Sequence, residues 1–217
     1  MAPRLHRGGR FRAWLGSRLG GDFDLGDRVW RRLLHAAGAA VLLYYVIPVD
    51  FFVLVPKLYV LLAALAAVLL LELLRHLVHL ELPTIRPYEA RRIGSYAFYA
   101  VALVGAVVLF PEPIGAAVVL GTALVDPLAG ELRASARGRR LSPAVPLAVY
   151  ALLAFGGLAG IGRWPPADSA ALAVLAAVVG VAAERPKIDW IDDDLTMTFL
   201  PAIALYLVGV IALGLPH

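Results

Sequence analysis

Glu184-Arg185-Pro186-Lys187-Ile188-Asp189-Trp190-Ile191-Asp192-Asp193-Asp194-Leu195-Thr196 sets five carboxylates and two basic side chains between two long apolar runs, 169–184 and 195–215. The runs suit lipid and the segment between them does not. Charge at membrane depth is costly, so a carboxylate cluster where a hydrophobic segment begins is a candidate ion or substrate site. The chemistry it suits best is holding a metal ion against a phosphate.

The rest of the chain repeats the pattern. Of 217 residues, 61% are hydrophobic and only 17% charged, where a soluble domain is roughly half apolar and about a quarter charged. The charges fall in clumps between Ala/Leu/Val runs, which predicts an all-α polytopic membrane protein rather than a soluble helical one. No cysteine is present, which excludes a disulfide framework and thiolate metal sites. Residues 1–20 hold five arginines, one histidine and no carboxylate. They lack the apolar core of a signal peptide. A short transit segment is one reading; a basic arm, 1–27, resting on anionic headgroups is the preferred one. Residues 28–217 then form a single transmembrane domain.

Apolar runs predict about seven spans, at 33–55, 58–80, 95–110, 113–130, 144–161, 169–184 and 195–215. Several fall short of the ~20 residues that cross a bilayer, so some helices should be tilted or broken around a protected cavity. Pro48, Asp50 and Pro56 stand ready to end the first one early. With a cytoplasmic amino terminus, 18 of the 20 Lys/Arg residues fall inside, leaving Lys57 and Arg163 outside. Retention of basic residues on the cytoplasmic face sets orientation, which puts the carboxy terminus outside. The inside face collects His35, Glu72, His76, His79, Asp126, Glu184 and Asp192 to Asp194, so the active site is expected there.

Arg31, Arg32, His35 and Gly38 open the first span, with Arg31 and His35 one helical turn apart. Glu72, Arg75, His76 and His79 close the second at similar spacing. They read as an interfacial ion pair or as part of a zinc site, which lacks a third strong ligand at the usual spacing. Arg86, Arg91 and Arg92 precede Gly94, Ser95 and Tyr96, and guanidinium groups suit polyphosphate. Membrane anchoring is the plainer reading of all these arginines. Asp126 lies inside an apolar span before Pro127, which predicts a broken helix with Asp126 capping the second half. Asp194 reads as the N-cap of the last span. Carboxylates at Asp126, Asp192 and Asp193 suit Mg²⁺ bound together with substrate phosphates. Gly156-x-x-x-Gly160 permits close helix packing within one chain or in a homodimer. Walker, His-Glu-x-x-His and dinucleotide motifs are absent, and membrane topology accounts for the basic charge without nucleic acid.

Taken in order, these motifs resemble the CTP-dependent lipid kinases, namely dolichol, phytol and yeast-type diacylglycerol kinases, within the wider phosphatidate cytidylyltransferase group. The matching residues are Arg31, Arg32, His35 and Gly38; Glu72 and Arg75; Arg91, Gly94, Ser95, Phe110 and Pro111; Asp126 and Ala129; and Glu184, Asp192, Asp193, Leu195 and Thr196. The chain departs from the pattern at Val125 and Arg133, where glycines are usual, and at Asp194, where relatives carry asparagine. It also lacks the Lys-Ser/Thr-x-Glu-Gly segment expected after the central motif. The resemblance implies a membrane lipid kinase that uses CTP and Mg²⁺ on an isoprenoid alcohol or similar lipid. Asp126, Asp192 and Asp193 would hold the metal, and Arg31, Arg32, Arg91 and Arg92 the triphosphate. Glu72, Arg75, Gly94, Ser95, Glu184 and Thr196 would help bind the nucleotide. His35 or a carboxylate would take the hydroxyl proton. A CDP-lipid-forming cytidylyltransferase and a non-catalytic transporter or scaffold are the alternatives.

Overall fold

Proline and aspartate set most of the helix boundaries in this chain. A proline at or just before the first turn costs no hydrogen bond, because the first N–H groups of a helix lack intrahelical partners. The computed structural model describes residues 32–48, 55–80, 92–135, 142–184 and 191–216, and among them every regular element is helical. Helix α1 spans Arg32–Val46, tightening to 3₁₀ geometry over Gly38–Leu42. Pro56 leads into α2, Lys57–Val78. Gly94 leads into α3, Ser95–Leu109, and Pro111 into α4, Glu112–Ser135. Pro143 starts α5, Ala144–Phe155, which runs on as a π-helical turn over Gly156–Ile161. Pro165 and Pro166 start α6, Pro166–Ala183. Asp192 caps α7, Asp193–Leu205, which widens to π geometry over Tyr206–Ala212.

Five of these helices are long and apolar enough to cross a membrane: α2, α4, α5 with its π turn, α6, and α7 with its π extension. The expectation of about seven spans is met by this criterion for five. Helices α1 and α3 are apolar but shorter. The first run stops at Val46 because Ile47 turns extended before Pro48, the conformation a following proline imposes; residues 49–54 lie outside the described residues. The arm 1–27 lies outside them too.

Helix α4 is the most enclosed of the five and α2 the least. Ile114, Ala116, Ala117, Val118 and Val119 of α4 are fully buried, and α3, α5, α6 and α7 all pack against this helix. Close approach depends on small residues. The Tyr150 ring of α5 fills the space that side chains would take at Gly121 of α4 and Gly180 of α6. The Gly156-x-x-x-Gly160 pair makes no such contact among the described residues; Gly157 is the one pressed against the Ala117 backbone. Helix α2, by contrast, exposes Tyr59, Leu62, Leu69, Leu73 and Leu77. An apolar surface of that extent belongs in lipid or against a partner rather than in water.

Polar contacts pin α2 at its ends. Lys57 Nζ donates to the carbonyls of Tyr44 and Ile47 at 2.8 and 3.0 Å, satisfying the open C-terminal turn of α1. Near the other end Arg75 forms a bidentate pair with Glu72, at 2.8 and 2.7 Å. That end of α2 meets the start of α3, and the start of α1 meets the second half of α4 and the start of α7. His35 of α1, Asp126 of α4 and Asp194 of α7 thereby meet at one place in the bundle.

A candidate metal and proton-transfer site

Three helices bring His35, Asp126 and Asp194 together, with a ligand atom from each lying within 4.8 Å of the other two. His35 sits in the first turn of α1, Asp126 just past the middle of α4 and Asp194 in the first turn of α7. His35 Nε2 lies 3.2 Å from each carboxylate oxygen of Asp194 and 3.8 Å from Asp126 Oδ2. The side chain of Asp194 is 5% exposed and that of Asp126 is 29% exposed. One carboxylate therefore forms the floor of the site and the other its opening.

Asp194 comes to this position because Asp192 takes the capping role. Asp192 accepts a hydrogen bond from the Asp194 N–H at 3.2 Å and has extended backbone geometry, as an N-cap requires. Asp194 is thus a helical residue aimed inward, not the cap its sequence position suggested. Burial and the neighbouring carboxylates of Asp194 and Asp193 push the Asp192 carboxyl up to about 8. Asp193 and Glu184 stand within electrostatic reach of Asp126. Neither belongs to the ligand group. The Thr196 hydroxyl donates to the carbonyls of Asp193 and Ala183, joining the end of α6 to the start of α7.

Asp126 does not sit at a helix break. Helix α4 runs through Pro127 without interruption. Pro127 has no N–H to give the carbonyl one turn earlier, but close packing on four sides holds the helix together. The capping role expected of Asp126 therefore does not arise, and its carboxylate is left for the site.

Tyr99 of α3 completes the pocket. Its ring stacks on His35 with centroids 4.1 Å apart and planes 20° from parallel. Its hydroxyl donates to the His35 backbone carbonyl. Gly38 lies beneath the ring, where any side chain would collide with it. The glycine three residues after the histidine is thus needed for space. Sequence reasoning missed Tyr99, since a tyrosine within an apolar run carries no signal of its own.

Among the described arginines, Arg32 and Arg75 each pair with a carboxylate of the chain. Arg32 pairs with Glu131 near the mouth of the site. Arg31 and Arg91 lie outside the described residues. Glu72 and Arg75 are buried and bind the protein itself. Glu72 accepts from Arg75, from the Gly94 N–H at 2.8 Å and from the Tyr96 hydroxyl, while Arg75 also donates to the Arg92 carbonyl. His76 joins the same carboxylate at 3.2 Å. This cluster fixes the turn 92–94, with Ser95 opening α3 directly after it.

The donor set fits a small divalent cation. Asp126 and Asp194 supply two hard oxygen donors, the usual protein share when Mg²⁺ also binds phosphate oxygens. Imidazole is a poorer partner for Mg²⁺ than a carboxylate, so His35 is the weakest of the three donors for that ion. No protein-family model, curated protein or solved structure matches the chain.

Proposed function

We propose that this chain is an integral-membrane lipid kinase that moves the γ-phosphoryl group of CTP to an isoprenoid alcohol or a related lipid hydroxyl. The observation that carries the reading is the meeting of His35, Asp126 and Asp194 at one place in a bundle of membrane-length helices. The ordered motifs shared with the CTP-dependent lipid kinases support it, since three separate motifs supply the three residues or their close neighbours. The charge distribution supports a cytoplasmic amino terminus and site, an outside carboxy terminus and seven crossings, with the shorter α1 and α3 crossing where the bilayer is locally thinned.

Phosphoryl transfer calls for positioning and charge neutralisation more than for covalent chemistry by the protein. In this reading the lipid oxygen forms a bond to the γ-phosphorus while the bond to the β–γ bridging oxygen breaks, and CDP leaves. The hydroxyl proton passes to His35 or to one of the carboxylates. Asp194 faces His35 Nε2 at 3.2 Å and positions the imidazole. Asp126 and Asp194, with Asp192 and Asp193 near, would hold Mg²⁺, which supplies charge neutralisation on the triphosphate. Arg32, and Arg31, Arg91 and Arg92 from the flanking segments, are the candidates for its remaining oxygens.

Purified protein given labelled CTP, Mg²⁺ and a polyprenol should yield CDP and a phosphorylated lipid. Release of pyrophosphate would instead identify a cytidylyltransferase, the alternative raised by the missing Lys-Ser/Thr-x-Glu-Gly segment. Asp126→Asn should abolish turnover while the protein still inserts and purifies. Full activity in that variant would sink the reading.

A further inference from the structure

A buried polar network lies one turn deeper than the two carboxylates. Pro201 of α7 has no N–H, so the carbonyl of Met197, four residues earlier, loses its intrahelical partner. In a membrane such a carbonyl must find another donor. Thr122 of α4 and Tyr150 of α5 meet it, at 3.4 and 3.5 Å. The Thr198 hydroxyl donates to the Asp194 carbonyl at 2.8 Å and toward Thr122 Oγ at 3.1 Å, its one proton shared between the two acceptors. Thr122, Tyr150 and Thr198 are completely buried.

The register of this network against the site is informative. Thr122 precedes Asp126 by four residues on α4, and Thr198 follows Asp194 by four on α7. Residues four apart share a helix face. The Thr122–Thr198 bond therefore crosses from α4 to α7 on the same faces that carry the two carboxylates, one turn below them. A threonine in a helix commonly spends its hydroxyl on its own backbone. Here that bond goes to the backbone of Asp194 itself.

We propose that Thr122 and Thr198 are positioning residues, forming a crossbrace that fixes the spacing of Asp126 and Asp194 and so the affinity of the site for a divalent cation. The inference rests on the cation-binding part of the functional reading and is independent of which nucleotide or lipid is used. The Met197 carbonyl exposed by Pro201 anchors the brace to α7, and Tyr150, wedged between Gly121 and Gly180, holds it from the third side.

Mn²⁺ binding to the purified protein in detergent, followed by electron paramagnetic resonance without nucleotide or lipid, tests this. Thr198→Val keeps the shape and removes the hydroxyl; it should weaken Mn²⁺ by about 10-fold or more, the loss typical of groups that orient metal ligands. Thr198→Ser restores the hydroxyl and should bind within about twofold of the parent, a rescue on the same scale. Thr122→Val should act in the same direction, and the double variant should lose less than the sum of the two, because both remove one bond. Should Thr198→Val fail to purify, Thr122→Val and Thr122→Ser decide the matter alone. Valine variants that bind Mn²⁺ like the parent while melting at lower temperature would reduce the brace to a purely structural role and overturn the proposal. A parent protein that binds no Mn²⁺, or loses none of it in Asp126→Asn, would overturn the cation site and the brace with it.

Discussion

Tyr99 holds His35 twice, through a ring stack at 4.1 Å and through a hydrogen bond to the histidine's own carbonyl. The stack fixes the plane of the imidazole, and the hydrogen bond fixes the helix turn that carries it. This tertiary contact helps keep Nε2 directed at Asp194. Tyr99→Phe retains the stack and should lower kcat only a few-fold. Tyr99→Leu loses both contacts and should lower it at least ~10-fold with KM little changed, within the roughly 10²–10⁴-fold that a positioned base supplies. Steady-state kinetics of the two variants separates the contributions; equal losses in both would assign the effect to the hydroxyl alone.

Gly38 is the other half of that arrangement. A Cβ at this position would enter the Tyr99 ring and the Leu103 side chain. Gly38→Ala should therefore destabilise the fold by about 1–3 kcal/mol, the usual cost of overfilling a packed site. Thermal unfolding in detergent should show the loss, and combining Gly38→Ala with Tyr99→Leu should recover part of it by making room.

Glu72 and Arg75 were expected at the nucleotide, yet their hydrogen bonds go to each other, to the turn 92–94 and to Tyr96. Removing one member of a buried ion pair strands the other, at about 3–5 kcal/mol. Glu72→Ala should thus lower the unfolding midpoint sharply, and Glu72→Ala with Arg75→Met should be much less harmful than Glu72→Ala alone. A Glu72 variant of parental stability with a raised KM for nucleotide would restore the binding role.

The helical class and most helix boundaries were readable in the sequence, because prolines and long apolar runs are local signals. The site was only half readable. His35 and Asp126 stood out as polar groups at the edges of apolar runs, whereas Asp194 looked like a cap. Three consecutive aspartates carry no information about which one faces inward; the choice depends on where α7 begins, and Asp192 settles that by capping it. Pro127 misled for the opposite reason. Its local preference for a helix start is real, but packing of α4 on four neighbours outweighs one missing hydrogen bond. Tyr99 and Thr122 have no local signature, since the side chains they meet lie far away in the chain.

Asp192 makes the stability of the fold depend on pH in a definite direction. Burial first, then the carboxylates of Asp194 and Asp193, raise its carboxyl to about 8, whereas an aspartate in the unfolded chain titrates near about 4. Between those values the native state keeps a proton that the unfolded chain has released. Stability must therefore be highest below about 4 as far as this group is concerned, and must fall as pH rises toward about 8. Unfolding midpoints measured in detergent with a chelator present should decline across that window. Asp192→Asn retains an effective helix cap and removes the titration, so its midpoint should be flatter over the same range. Added Mg²⁺ should also flatten the decline, since a bound cation offsets the repulsion among the carboxylates. A midpoint that rises from pH 5 to pH 8 in the parent and not in Asp192→Asn would show that Asp192 is stabilised as a carboxylate in the fold, the reverse of what its surroundings dictate.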